Sequence, residues 1–203
     1  AVFSALAAII YLFDFSLPFF PPLIILDFAD LPAVIAAFAV GPVTGILIQV
    51  VRNVLHLFVS NTGGVGELAN IIIGGTMVGT AGLIYQRNKT KAGAFKALLA
   101  GTVAMTMVAM PLNYYVILPL FSLFMPIDTI FALSAKFIPA IHDKFTFILY
   151  VTLPFNLLKG ATISLSSWLL YKKLQPALHH LRSLRSMFTA ATFNTVVNHK
   201  FIC

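Results

Sequence analysis

Long apolar stretches separated by short polar punctuation make up most of the chain. Apolar runs cover about residues 1–20, 25–58, 66–86, 97–120 and 145–171. An α-helix needs about 20 apolar residues to cross a ~30 Å hydrocarbon layer. The stretch 31–58 is longer than one crossing requires. As a single helix it would extend about 42 Å at ~1.5 Å per residue. Gly41-Pro42 interrupts it; proline breaks a helix and glycine eases a turn. The pattern therefore predicts an all-α membrane protein with six transmembrane helices, at about 1–20, 25–40, 43–59, 66–86, 97–120 and 145–171. Together they make one domain over residues 1–175. Residues 121–144 read as a long loop and 176–203 as a cytoplasmic tail, patternless from Phe188 onward. The first run lacks a basic start and a small-residue cleavage site, so it reads as a span and not as a signal peptide.

Composition agrees. Apolar residues are 60% and charged residues 9% of the chain, against about 45–50% and about 25% in soluble domains. The net charge of +7 is informative through its placement. Arg87, Lys89, Lys91 and Lys96 share one short polar stretch, and Lys172, Lys173, Arg182, Arg185 and Lys200 lie near the end. Two spans separate these regions, so both fall on one side. Basic loops stay cytoplasmic, which predicts cytoplasmic N- and C-termini and an outer face carrying the 20–30 link, the Ser60–Gly66 loop and the 121–144 loop. That asymmetry explains the basic total better than a nucleic-acid partner does. Cys203 is the single cysteine, so no internal disulfide forms.

Polar groups at membrane depth are costly and mark pathways or pockets. Arg52, Asn53 and His56 interrupt span three. Glu67 and Asn70 open span four, Asn113, Tyr114 and Tyr115 end span five, and Asn156 and Lys159 lie within span six. Glu67/Asn70 and Asn156/Lys159 are each spaced i, i+3, which puts each pair on one helix face. The topology brings all of them toward the outer half of the membrane, where they line one outward-facing pocket, with Glu67 and Lys159 offsetting each other. Amides, phenols and aromatic walls suit a small, mostly neutral molecule with a flat ring and several hydroxyls. The competing reading is hydrogen bonding between helices with no ligand at all. Asp27 and Asp30 read as a solvated loop and a helix N-cap. Small-residue spacings (Gly41/Gly45, Gly75/Gly79, and Ala1, Ser4, Ala5 and Ala8 on the first span) allow close helix approach; on the first span they also fit docking of another membrane subunit.

Catalytic signatures are lacking. No Walker pattern binds ATP, no Cys/His cluster offers a metal site, and no cofactor motif is present. The chain reads as a non-enzyme with no motor of its own.

The blocks LDFADLPAVIAAFAVGPVTGILIQVVRNVLHLF, TGGVGELANIIIG, LNYYVILPLF and LPFNLLKG resemble the S components of energy-coupling factor (ECF) transporters, specifically the riboflavin-binding members, over about residues 1–175. That resemblance implies a six-helix bundle in a bacterial cell membrane that captures riboflavin outside. It also implies partners: a transmembrane ECF scaffold subunit and two cytoplasmic ATPases that drive delivery inward. Residues carried over are Leu26, Asp27, Phe28 and Ala29 in the loop closing over the ring, Glu67, Asn70, Asn113, Tyr114, Asn156 and Lys159 around the ligand, and Ala1, Ser4, Ala5 and Ala8 as the docking face. It assigns Glu67, Asn156 and Lys159 to the ribityl hydroxyls, and Asn113 with loop backbone to the ring edge. The alternatives are an S component for thiamine, biotin or folate, a membrane enzyme using Glu67 and His56, and an assembly protein without a ligand.

Overall fold

The computed structural model describes residues 2–12, 15–16 and 25–170. Their helices are α1 (Val2–Tyr11), α2 (Asp30–Ala39), α3 (Pro42–Val59), α4 (Val65–Arg87), α5 (Lys91–Phe121), α6 (Ile127–Ala135) and α7 (Lys144–Leu170). Between α1 and α2, β1 (Phe15–Ser16) pairs antiparallel with β2 (Ile25–Leu26), Phe15 opposite Leu26. Apart from that short ladder, the described residues form an all-α protein. The expected tail at 176–203, residues 20–24 of the expected link and Ala1 lie outside the described residues.

Helices α3, α4, α5 and α7 are long and apolar enough to cross a membrane, and they match the last four expected spans. Helix α5 starts earlier than expected because Thr90 caps it, its Oγ1 accepting from Gly93 N at 3.0 Å. The first two expected spans are corrected. Helices α1 and α2 have 10 residues each, about 15 Å of helix, half a bilayer core. Residues 25–29 are strand and turn because the Asp27 carboxylate accepts from Ala29 N at 2.9 Å, a local bond that competes with helix. The expected 121–144 loop is also corrected, since it contains α6. That helix begins after Pro126 and buries Ile130 against Leu118 and Phe147.

Helix α3 shows which solvent the bundle is built for. It buries Gln49, Arg52 and Asn53 and exposes Val43, Leu47, Val51 and Val54. A helix in water does the reverse; in lipid the apolar face belongs outside and the polar face inside. Gly41 and Pro42 make the turn that feeds α3. Gly41 has φ 142°, open to glycine alone at low cost, and Pro42 occupies the first helical turn, where its missing N–H is not needed. Gly45 lets α2, α3 and α4 close together: a Cβ there would lie 2.4 Å from Val78 Cγ1 and 2.8 Å from the Ala33 carbonyl. Gly75, expected to do the same, faces open space.

Two π turns shape the other half. They occupy Asn113–Ile117 in α5 and Ile148–Thr152 in α7. Each ends two residues before a proline, Ile117 before Pro119 and Thr152 before Pro154, with Leu118 N donating to the Asn113 carbonyl and Leu153 N to the Ile148 carbonyl. A proline inside a helix lacks the N–H and clashes with the carbonyl four residues back. Widening the preceding turn accommodates it. Helices α4 and α5 are joined by a tight turn at Asn88–Thr90, so the basic stretch marks one end of the bundle.

Candidate functional site

At the opposite end, α3 and α5 finish while α4 and α7 begin. There the helices enclose a cavity of about 190 Å³. One water needs only about 10–15 Å³, so the space fits a small organic molecule better than a bare ion. The π turns place Asn113, Ile117 and Thr152 on its wall. Met105, Leu118, Phe121, Phe147 and Phe155 supply apolar surface.

One side of the cavity is a buried charge network. Arg52 donates from Nη1 to Asp27 Oδ1 at 3.1 Å, from Nη2 to Asp30 Oδ1 at 2.5 Å and from Nε to Gln49 Oε1 at 2.6 Å. Gln49 Nε2 donates in turn to Asp30 Oδ1 at 2.5 Å. Lys159 Nζ donates to Asp27 Oδ2 at 2.9 Å and to Asn70 Oδ1 at 3.3 Å, with Asp30 Oδ2 also 3.3 Å away. Two carboxylates thus balance two cations. Burial at this depth demands that balance, because an unpaired charge in a dry interior costs several kcal/mol.

A second group surrounds Glu67. Its Oε1 lies 2.7 Å from His56 Nδ1 and its Oε2 accepts from Thr62 Oγ1 at 2.9 Å. Tyr11 stacks on His56 with ring centroids 3.9 Å apart, and its hydroxyl accepts from Asn70 Nδ2 at 2.5 Å. Asn113 and Asn156 are held alike: each side-chain amide donates to the carbonyl four residues back, Ala109 and Thr152 respectively, at 2.8 Å. That bond orients each amide and leaves its carbonyl oxygen for another partner.

A family model described as ECF transporter, substrate-specific component, matches residues 1–171. The chain belongs to this family. It is similar to riboflavin transporter RibU of Staphylococcus aureus (strain TCH60), 35% identical over 174 residues, 86% of this chain and 87% of the relative. It is 31% identical to riboflavin transporter FmnP of Bacillus subtilis (strain 168), over 90% of this chain and 93% of the relative. A solved S component, from work on the "structure and mechanism of the S component of a bacterial ECF transporter", aligns with TM-score 0.70 and 33% identity over 87% of this chain and 93% of that one. The expectation of a membrane transport component and not an enzyme therefore stands on the family.

Within this S component the structure brings together Asp27, Glu67, Asn70, Asn113, Asn156 and Lys159 on the cavity wall. Leu26 and Ala29 are buried outside the lining, Phe28 packs on the main apolar core, and Tyr114 packs edge-on to Tyr115 near Leu118. Lys159 pairs with Asp27 and Asp30, and Glu67 with His56, so the expected mutual offset of Glu67 and Lys159 is corrected. Asp27 and Asp30 are not solvated; both are at most 1% exposed. On α1, Ala5 is exposed and Ser4 and Ala8 are half-buried, while Ala7 lies in the core. Sequence reasoning passed over Gln49 and Tyr11. Gln49, Arg52 and His56 are spaced i, i+3, i+7, a polar stripe visible in QVVRNVLH. Tyr11 carries no such signal.

Proposed function

We propose that this chain is the riboflavin-binding S component of an ECF-type importer in a bacterial cell membrane. The observation that carries the reading is a mostly apolar cavity ringed by oriented amides and carboxylates, in a chain whose relatives are named riboflavin transporters. Flat apolar walls suit the isoalloxazine ring. Glu67, Asn156 and Lys159 meet the ribityl hydroxyls, and Asn113 with the backbone around Leu26, Asp27, Phe28 and Ala29 meets the ring edge. Asn70 acts through Lys159, and Tyr114 supports the wall from behind.

Helices α3, α4, α5 and α7 cross the membrane, with the shorter α1 and α2 packed against α3 within the bundle. The cavity lies at the end opposite the exposed basic turn of Arg87, Lys89 and Lys91. With that turn and both termini cytoplasmic, the cavity opens outward. Ala1, Ser4, Ala5 and Ala8 dock on a transmembrane scaffold subunit, and two cytoplasmic ATPases drive release inward.

Riboflavin fluorescence tests the reading. Purified protein is expected to be yellow, to release a flavin spectrum on denaturation and to quench added riboflavin stoichiometrically. Colourless protein that leaves riboflavin fluorescence unchanged refutes it; if such protein instead retains thiamine, biotin or folate in equilibrium dialysis, another vitamin is assigned.

A further inference from the structure

His56 sits on the cavity wall beside Glu67. Nδ1 is 2.7 Å from Glu67 Oε1. An ionised carboxylate can only accept, so Nδ1 carries the proton. The ring face is taken by Tyr11, stacked at 3.9 Å with 26° between planes. Tyr11 is itself fixed by Asn70 at its hydroxyl, and the Arg52 guanidinium carbon lies 5.0 Å from its ring centroid. Glu67's other oxygen is held by Thr62, whose Oγ1 accepts from Gly66 N at 3.1 Å. The carboxylate is therefore oriented from two sides by donors that are themselves held. Each oxygen has two acceptor directions, of which His56 and Thr62 use one each. Ser60 and the Glu67 backbone N–H add further hydrogen bonds, so the carboxylate that lines the cavity is held in one orientation.

We infer that His56 is a positioning residue that aims Glu67 at ligand hydroxyls and thereby sets selectivity for a polyol-bearing ligand. The inference rests on the riboflavin reading above. Without the Nδ1 donor the carboxylate turns from its place on the cavity wall, and hydroxyl recognition drops while the apolar walls persist. Preorganised acceptors of this kind lose affinity when their supporting shell is loosened.

The test is titration of full-length protein in detergent with riboflavin and with lumichrome, the same ring system without the ribityl chain. His56→Phe keeps the stack on Tyr11 and removes the donor; His56→Asn keeps a donor near the Nδ1 position. His56→Phe is expected to weaken riboflavin about 10-fold or more and lumichrome less than about 2-fold, with His56→Asn recovering most of the riboflavin loss. In a Glu67→Gln background, His56→Phe is expected to add less than about 2-fold. Equal losses for both flavins, no loss for riboflavin, or multiplicative losses in the double variant overturn the inference. A wild type that binds neither flavin overturns the riboflavin reading itself and the inference with it. A His56→Phe protein that does not fold is replaced by His56→Leu, judged by the same ratio of the two ligands.

Discussion

Removing Lys159 should damage the unliganded protein more than its place on the cavity wall implies, and removing Asp27 as well should repair part of the damage. Lys159→Met deletes one of two cations facing Asp27 and Asp30, leaving one buried negative charge in excess beside Arg52. Asp27→Asn deletes one of two carboxylates and leaves one positive charge in excess. At 2.9 Å and an effective dielectric of about 20, the Lys159–Asp27 attraction is on the order of 5 kcal/mol. Most of that offsets the desolvation of both groups, so the net worth of the pair is small. Breaking it from one side, however, typically costs about 3–5 kcal/mol, because the survivor stays buried and unpaired. The double variant keeps the Arg52–Asp30 pair and restores neutrality. It is expected to be no less stable than the worse single variant, a coupling of about 2–4 kcal/mol. The assay is unfolding of ligand-free protein by SDS titration in mixed micelles, followed by far-ultraviolet circular dichroism. Losses in the two single variants that simply add in the double would falsify the charge-balance argument. Because no ligand is present, the outcome is independent of what the cavity binds.

Three further outcomes follow from named contacts. Asn113→Ala and Asn156→Ala should each weaken riboflavin binding by about 1–3 kcal/mol with the helical circular dichroism unchanged; full quenching affinity in both variants refutes the proposed ligand contacts. Gly45→Val should lower stability by about 1–3 kcal/mol or more, since its Cβ lies where Val78 and the Ala33 carbonyl already are; a thermal midpoint equal to wild type shows that α3 and α4 are not so close. Asp143 receives side-chain and backbone hydrogen bonds from Thr146 that hold its carboxyl below the ordinary carboxylate value. A depressed folded-state value means the capping box contributes above the ordinary carboxylate range and is lost as pH falls through the folded-state value. The difference in thermal midpoint between wild type and Asp143→Ala should therefore be constant near neutral pH and shrink in acid; a difference that persists unchanged in strong acid counts against the cap.

Much of this protein is legible from sequence because lipid imposes a blunt rule. A backbone in hydrocarbon must satisfy its own hydrogen bonds, so long apolar runs become helices. The runs at 43–59, 66–86, 97–120 and 145–171 did so. The basic stretch at Arg87–Lys96 marked one end of the bundle, and the polar minority marked the cavity at the other: Glu67, Asn70, Asn113, Asn156 and Lys159 were identifiable simply as groups that lipid would reject. Pro119 and Pro154 even announced the two π turns in retrospect, through their missing N–H groups.

Pairing was beyond the sequence. Glu67 and Lys159 are opposite charges on neighbouring helices, yet each has a nearer partner, because the turn into α2 and its first residue bring Asp27 and Asp30 to Lys159, and the end of α3 brings His56 beside Glu67. Which charges meet depends on helix rotation and depth to within an ångström or two, and hydrophobic patterning carries no information at that scale. The same holds for Tyr11, an unremarked residue at the end of α1 that becomes a wall of the cavity by stacking on His56. Apolar patterning determined that the chain is a membrane bundle and which residues had to be hidden from lipid. Only tertiary packing decided how the hidden charges cancel, and so which polar groups are left to face a ligand.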